Sequence, residues 1–176
     1  MNLSDKIRSK IRDVKDFPKE GIVFKDITPV LADSVLCKDI TLAMVDQWSD
    51  QNLDAIVGIE SRGFIFGMLL AYHLDIPFIP IRKVGKLPYR TVQYSYELEY
   101  GTATMEIHED GIEKGWNVLI HDDLLATGGT AEAAAALVHR LEGQVAGFSF
   151  LVDLTFLDGQ RKLTTYSPSI KSLIAY

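Results

Sequence analysis

Residues 118–130, V-L-I-H-D-D-L-L-A-T-G-G-T, concentrate the residue types with the most definite chemistry in this 176-residue sequence. An apolar run leads to two adjacent carboxylates at its end, Asp122 and Asp123, and a turn of small and hydroxyl residues then opens a helix. Gly128 and Gly129 let a backbone approach a ligand closely. Thr127 and Thr130 add hydroxyl donors. The unpaired N–H groups and positive end of the following helix suit a phosphate. Ionised carboxylates only accept hydrogen bonds, so they repel a phosphate but can receive sugar hydroxyls. The two halves together point to a sugar phosphate. The stretch has neither G-x-x-x-x-G-K-[ST] nor G-x-G-x-x-G, which excludes a Walker A loop and a dinucleotide turn there. The plain alternative is a strand–turn–helix connection with solvated aspartates, although Asp-Asp before Thr-Gly-Gly-Thr is unusual turn chemistry.

The elements that must hold these residues follow from hydrophobic spacing. Leu3, Ile7, Ile11 and Val14 recur at helical intervals, and Val35, Leu36, Ile40, Ala43, Met44 and Trp48 do so again, with Asp33 or Ser34 as N-cap. Between them, residues 16–29 carry Pro18, Gly21 and Pro29 and read as a loop. Short apolar runs at 55–59, 77–81, 118–120, 145–152 and 173–175 read as strands, as do the alternating Ala103, Met105 and Ile107. Helices are expected over 64–73 and 131–141. Strands alternating with helices mean an α/β domain with a mainly parallel twisted sheet, whose ligands sit at the carboxyl ends of strands. Residues 82–100 form a long connection with four cations (Arg82, Lys83, Lys86, Arg90) and four tyrosines, the composition of a lid or binding loop.

Composition bounds the rest. One domain over 1–176 is expected. With 24 acidic and 18 basic residues, a net charge of −6 argues against nucleic-acid binding by global charge. The single Cys37 can form neither an internal disulfide nor a multi-cysteine metal site, which fits a reducing, cytoplasmic setting. No apolar run nears the length of a membrane span, and the N-terminus lacks a signal core. His73, His108 and His139 show no ligand spacing with acidic partners, so no protein-held metal is expected.

Residues 118–130 resemble the 5-phosphoribosyl 1-diphosphate (PRPP) motif of the type I phosphoribosyltransferases. Four further segments occur in order: Phe17-Pro18-x-x-Gly21-Ile22-x-Phe24-Lys25-Asp26-Ile27, Glu60-Ser61-Arg62-Gly63-Phe64, Arg82-Lys83-x-Gly85-Lys86-Leu87-Pro88 and Ser95-Tyr96-x-Leu98-Glu99-Tyr100-Gly101. With them the resemblance covers nearly the whole chain and is closest to the adenine-using members. It implies the type I fold, with a hood over about 1–34 and a lid loop over about 82–100. The implied reaction is purine salvage: adenine plus PRPP gives AMP plus diphosphate, with magnesium arriving largely on PRPP.

The resemblance also distributes roles. Ala126, Thr127, Gly128, Gly129 and Thr130 would hold the 5′-phosphate, and Asp122 and Asp123 would face the ribose hydroxyls. Glu60 and Ser61 would form the diphosphate loop, joined by a non-proline cis peptide, with Arg62 near base and diphosphate. Lys83 and Lys86, and less directly Arg82, would meet the diphosphate, with Tyr100 supporting the closed lid. Glu99 would be the acid–base group on the purine N7 side. Val23, Phe24 and Lys25, with Leu154, would form the adenine pocket, Phe24 and Leu154 giving the two flat faces. Asp26 is expected to be a structural acceptor. A homodimer is implied, with Arg82 near its interface. Two positions depart from the family pattern: Lys25 stands where many members have arginine, and His121 where an aliphatic residue is usual. The competing expectations are a phosphoribosyltransferase for hypoxanthine, guanine or xanthine, and a non-catalytic PRPP-binding module.

Overall fold

The computed structural model describes residues 2–97 and 101–176. The chain runs α1 (Leu3–Lys10), β1 (Arg12–Lys15), β2 (Val23–Asp26), α2 (Thr28–Leu31), α3 (Ser34–Trp48), β3 (Ala55–Ile59), α4 (Gly63–Leu74), β4 (Phe78–Lys83), β5 (Thr91–Glu97), β6 (Thr102–His108), β7 (Asn117–Leu125), α5 (Gly129–Arg140), β8 (Gln144–Asp153), a 3₁₀ turn (Thr155–Leu157), α6 (Gln160–Leu163) and β9 (Ile170–Ala175). Seven strands form one sheet in the order β5-β6-β4-β3-β7-β8-β9. The β4-β3-β7-β8-β9 portion is parallel, and β6 pairs antiparallel with both β4 and β5.

Alternation along the central strands divides the core into two layers. Ala55, Val57 and Ile59 of β3 point to one face, with Val118, Ile120 and the alanine-rich side of α5. Ile56 and Leu119 point to the other, against Phe66 and Leu70 of α4 and Ile40, Met44 and Trp48 of α3. The chain leaves β3 toward β4 on one side, while β7 pairs on its other side, so the order reverses between β3 and β7. In open α/β sheets the ligand crevice lies at such a reversal, beyond the carboxyl ends of the strands.

Several boundaries differ from the sequence reading. The first helix stops at Lys10, and Val14 belongs to β1, which pairs antiparallel with β2. Residues 16–29 are therefore not all loop, since they contain β2 and the Pro29-started α2. The acidic pair does not end its strand: β7 continues through Asp122 and Asp123 to Leu125. Within 82–100, read as one long connection, the described residues 82–97 are the end of β4, a turn over 84–90 and β5, which pairs antiparallel with β6. Polar alternation in T-V-Q-Y-S-Y-E hid an edge strand behind the composition of a loop. Glu99 and Tyr100 lie outside the described residues. Asp33 caps α3, its side chain accepting from the Leu36 N–H at 3.1 Å. Among the described residues no helix is long and apolar enough to cross a membrane.

Candidate active site

The carboxyl ends of β3, β4 and β7 open onto a cleft of ≈ 800 Å³, lined among others by Ser61, Arg62, Lys83, Asp122, Asp123 and Thr130. Its floor exists because α4 starts almost in contact with β7. A Cβ on Gly63 would lie 2.8 Å from the His121 carbonyl oxygen and 2.9 Å from Asp122 Oδ1, so only glycine permits this approach. The Glu60–Ser61 peptide is cis, as the resemblance implied, and Arg62 follows as the residue preceding α4.

Arg62 bridges the two halves of the site. Its Nε is 2.9 Å from Asp123 Oδ2, and its guanidinium carbon lies 5.0 Å from the centre of the Phe24 ring. Asp122 Oδ1 accepts the Asp123 N–H at 2.8 Å. Burial, then the neighbouring Asp123 charge, pushes the Asp122 carboxyl well above the usual carboxylate range. Burial also raises Asp123, against the opposing pull of Arg62. Two crowded carboxylates with one guanidinium form a site that gains from hydroxyl donors and from further positive charge.

The predicted diphosphate residues are brought together around Glu60. Its Oε1 accepts from Lys86 Nζ and, at 3.3 Å, from an Arg82 Nη, while Oε2 accepts the Lys83 N–H at 2.9 Å. Burial alone would raise this carboxyl, but the Lys86, Lys83 and Arg82 contacts outweigh it and hold the pKa at about 2. Arg90 pairs instead with Glu109 at 3.7 Å on the surface.

The turn after β7 wraps a small concavity lined by Asp122 and residues 124–131, so every predicted phosphate-loop residue lies on its rim. Gly128 has φ +81°, and a Cβ there would sit 2.5 Å from the Gly159 carbonyl oxygen. Gly129, by contrast, would place a Cβ in ordinary contact with the Tyr96 ring at 3.4 Å. Gly128, rather than Gly129, is the position where glycine is obligatory.

On the base side, Phe24 meets Phe17 edge-on at 5.2 Å, and Val23 is exposed. Lys25 turns away: its Nζ is 2.7 Å from Asp13 Oδ1 and 4.1 Å from the centre of the Tyr176 ring. Leu154 is packed in the core, and it is Leu124 that lines the cleft with Phe17. Asp26 accepts from the N–H and hydroxyl of Thr28 at 2.9 and 2.6 Å, a structural role at the start of α2.

Three residues to which the sequence reading gave no role matter here. Tyr96 lies over the phosphate loop, its hydroxyl 3.1 Å from Thr130 Oγ1. Gly159 supports that loop from behind, against the Ala126 carbonyl. Glu106 is buried under the 84–90 turn, Oε1 accepting the N–H groups of Lys86 and Leu87, each at 2.9 Å. Tyr96 stood in the tyrosine-rich 82–100 stretch without a role, and Glu106 showed as a charge between Met105 and Ile107, which alternation reads as solvent-facing. Among the described residues no group of three or more His, Cys, Asp or Glu side chains could hold a metal ion.

A family model described as the phosphoribosyl transferase domain matches residues 32–168. An adenine phosphoribosyltransferase from Cytophaga hutchinsonii is 52% identical over 174 residues, covering 99% of this chain and 96% of its own length. One from Thermotoga neapolitana is 51% identical over 170 residues, covering 97% and 99%. The crystal structure of adenine phosphoribosyltransferase from Thermoanaerobacter pseudethanolicus aligns with a TM-score of 0.95 at 49% identity, over 99% of this chain and 100% of that one. The Saccharomyces cerevisiae enzyme, complexed with an imino-altritol bisphosphate and adenine, aligns at 0.89 with 37% identity, over 97% and 98%.

Proposed function

The chain belongs to the phosphoribosyl transferase domain family, and on that premise we propose that its cleft transfers the 5-phosphoribosyl group of PRPP to N9 of adenine, giving AMP and diphosphate. The observation that supports this is the adjacency of three unlike groups. The 126–130 concavity and the main cleft share Asp122 and Thr130 in their walls, and Lys83 lines the cleft beyond them, so a phosphate cradle, a carboxylate pair and a cation are neighbours, as the groups of PRPP require.

Residues 126–130 hold the 5′-phosphate by N–H groups and hydroxyls at the start of α5. Asp122 and Asp123 accept the ribose hydroxyls, and Arg62 keeps their negative charge tolerable beside the substrate. Among the described residues the carboxylate paired with Arg82 and Lys86 is Glu60, and Lys83 lines the cleft beside it, so three cations meet one paired carboxylate and leave positive charge for the leaving diphosphate. As the C1′–diphosphate bond breaks, positive charge grows on the sugar, and the carboxylates below it oppose that charge. Adenine lies between Phe24 and the aliphatic lining, and N9 attacks C1′ as its proton is lost. Glu99, outside the described residues, is the group assigned to that proton movement. Backbone groups around Val23 and Lys25 read the 6-amino edge. Magnesium would arrive bound largely to PRPP, where it would screen the charge of the diphosphate that Lys83, Lys86 and Arg82 also meet.

The pairing partner is a second copy of the chain. Ile65, Met68, Leu69 and Tyr72 of α4 form an exposed apolar stripe at helical spacing, which supports a homodimer through this face.

The test is AMP formation from adenine and PRPP, with and without magnesium, beside hypoxanthine, guanine and xanthine as competing bases. AMP from adenine, dependent on magnesium, is expected. No nucleotide from any base would remove the reading, and faster use of another base would correct its specificity. Glu99→Gln should retain PRPP binding and lose most of kcat.

A further inference from the structure

Tyr96 stands on β5 opposite Ala103 of β6 and reaches across to the start of α5. Its ring covers Gly129, so that a Cβ on that glycine would meet ring carbons at 3.4 and 3.5 Å. Its hydroxyl is 3.1 Å from Thr130 Oγ1, and either oxygen can be the donor. The ring also separates the main cleft from a second depression lined by Pro18, Ile22, Thr127 and Lys162, and belongs to the wall of both.

The proton count gives this contact a direction once a phosphate is present. Each hydroxyl has one proton. A phosphate monoester is an acceptor, so Thr130 must turn its proton toward it. The Thr130 oxygen is then left to accept, and the Tyr96 O–H is positioned to donate. A chain Tyr96 O–H to Thr130 O–H to phosphate results. Each link is strengthened by the next, and the last is charge-assisted. Without the tyrosine hydroxyl, Thr130 keeps its proton but loses the partner that orients and polarises it.

We propose that Tyr96 is a positioning residue for 5′-phosphate recognition, acting through the Thr130 hydroxyl, and that it favours phosphorylated over unphosphorylated ribosyl ligands. This rests on the reading of residues 126–130 as the phosphate cradle. Nothing in the proposal requires Tyr96 to touch the reacting atoms.

Tyr96→Phe removes the hydroxyl and keeps the ring over Gly129. Ribose 5-phosphate binding, measured by titration calorimetry, should weaken about five- to tenfold. KM for PRPP should rise by a similar factor, while KM for adenine and Tm stay near wild type. In a Thr130→Ala background, Tyr96→Phe should change ribose 5-phosphate affinity by less than about twofold, whereas Thr130→Ser, which keeps a hydroxyl, should restore the sensitivity. Unchanged ribose 5-phosphate affinity in Tyr96→Phe overturns the proposal. An equal loss in the Thr130→Ala background also overturns it, because Tyr96 would then act without Thr130. Failure of the wild-type protein to bind ribose 5-phosphate overturns the cradle reading itself, and is seen before any variant is compared.

Discussion

His121 shows at one residue how burial decides chemistry. It is fully buried on β7, beside Gly58 of β3 and Ser149 of β8, and neither ring nitrogen reaches full hydrogen-bond geometry. Burial lowers its pKa to about 3, with only a partial offset from the Ser149 backbone. The ring is neutral at pH 7 and takes no part in proton transfer near neutrality. The unfolded chain binds a proton at this residue below about pH 6.5 and the folded chain does not, so stability falls as pH drops through that window. The expected slope from this residue is about 1.4 kcal/mol per pH unit between pH 6 and 4. His121→Leu should remove that slope and, at pH 7, match or exceed wild-type stability. Urea unfolding at several pH values tests this, since the Asp122 and Asp123 contributions are common to both proteins; parallel pH profiles would refute it. The buried strand around His121 was legible as an apolar run, but the fate of its nitrogens was not, because it depends on neighbours from two other strands. The same holds for the glycines. The sequence marks both Gly128 and Gly129 as turn residues, yet the demand for glycine at 128 comes from a carbonyl 31 positions away at Gly159. Gly128→Ala should therefore weaken PRPP binding far more than Gly129→Ala, as KM for PRPP would show.

Among elements, the least legible was the β4–β5 connection. Its cations, tyrosines and Pro88 resemble a free loop, but the 84–90 turn is tied to the sheet by a carboxylate that lies in another strand. Glu106 accepts two backbone N–H groups of the turn and the Thr91 hydroxyl, and these contacts hold its carboxyl below the usual range in spite of its burial, the largest single influence and one that acts to raise it. Such a contact joins a strand residue to a turn about 20 positions earlier, and no local periodicity can announce it. Replacing it with Glu106→Ala leaves the Lys86 and Leu87 N–H groups without an acceptor, a loss of about 2 kcal/mol or more. Because the turn carries Lys86 to Glu60, KM for PRPP should rise in Glu106→Gln, where folding is better preserved, with KM for adenine little changed. Equal effects on both substrates would mean that Glu106 supports the fold alone. By contrast, β3, α3, α4, α5 and β8 were readable within a few residues, because each is long or wholly apolar and buries its pattern directly in the two core layers.

At the scale of the whole molecule, an acidic surface is compatible with the proposed anion binding, because that proposal relies on local donors: one helix start, Arg62 and the 82–86 cations. The same scale exposes α4. Its inner face, Phe66, Gly67, Leu70 and Ala71, is buried, yet its outer face offers Ile65, Met68, Leu69 and Tyr72, the last 75% exposed. A helix apolar on both faces gains from cover on both, and in the proposed homodimer a second copy of the chain would supply it symmetrically. Met68→Lys combined with Tyr72→Lys should then sediment at the monomer mass of 19.7 kDa where wild type sediments at twice that. The consequence reaches the chemistry, because α4 begins at Gly63, against the acidic pair. Freeing the outer face loosens the helix that fixes Arg62 over Phe24, so the monomeric variant should lose activity although neither substituted side chain lines the cleft. A wild-type protein that is monomeric at micromolar concentration would sink the interface. A monomeric variant with full activity would show that one chain holds the site unaided.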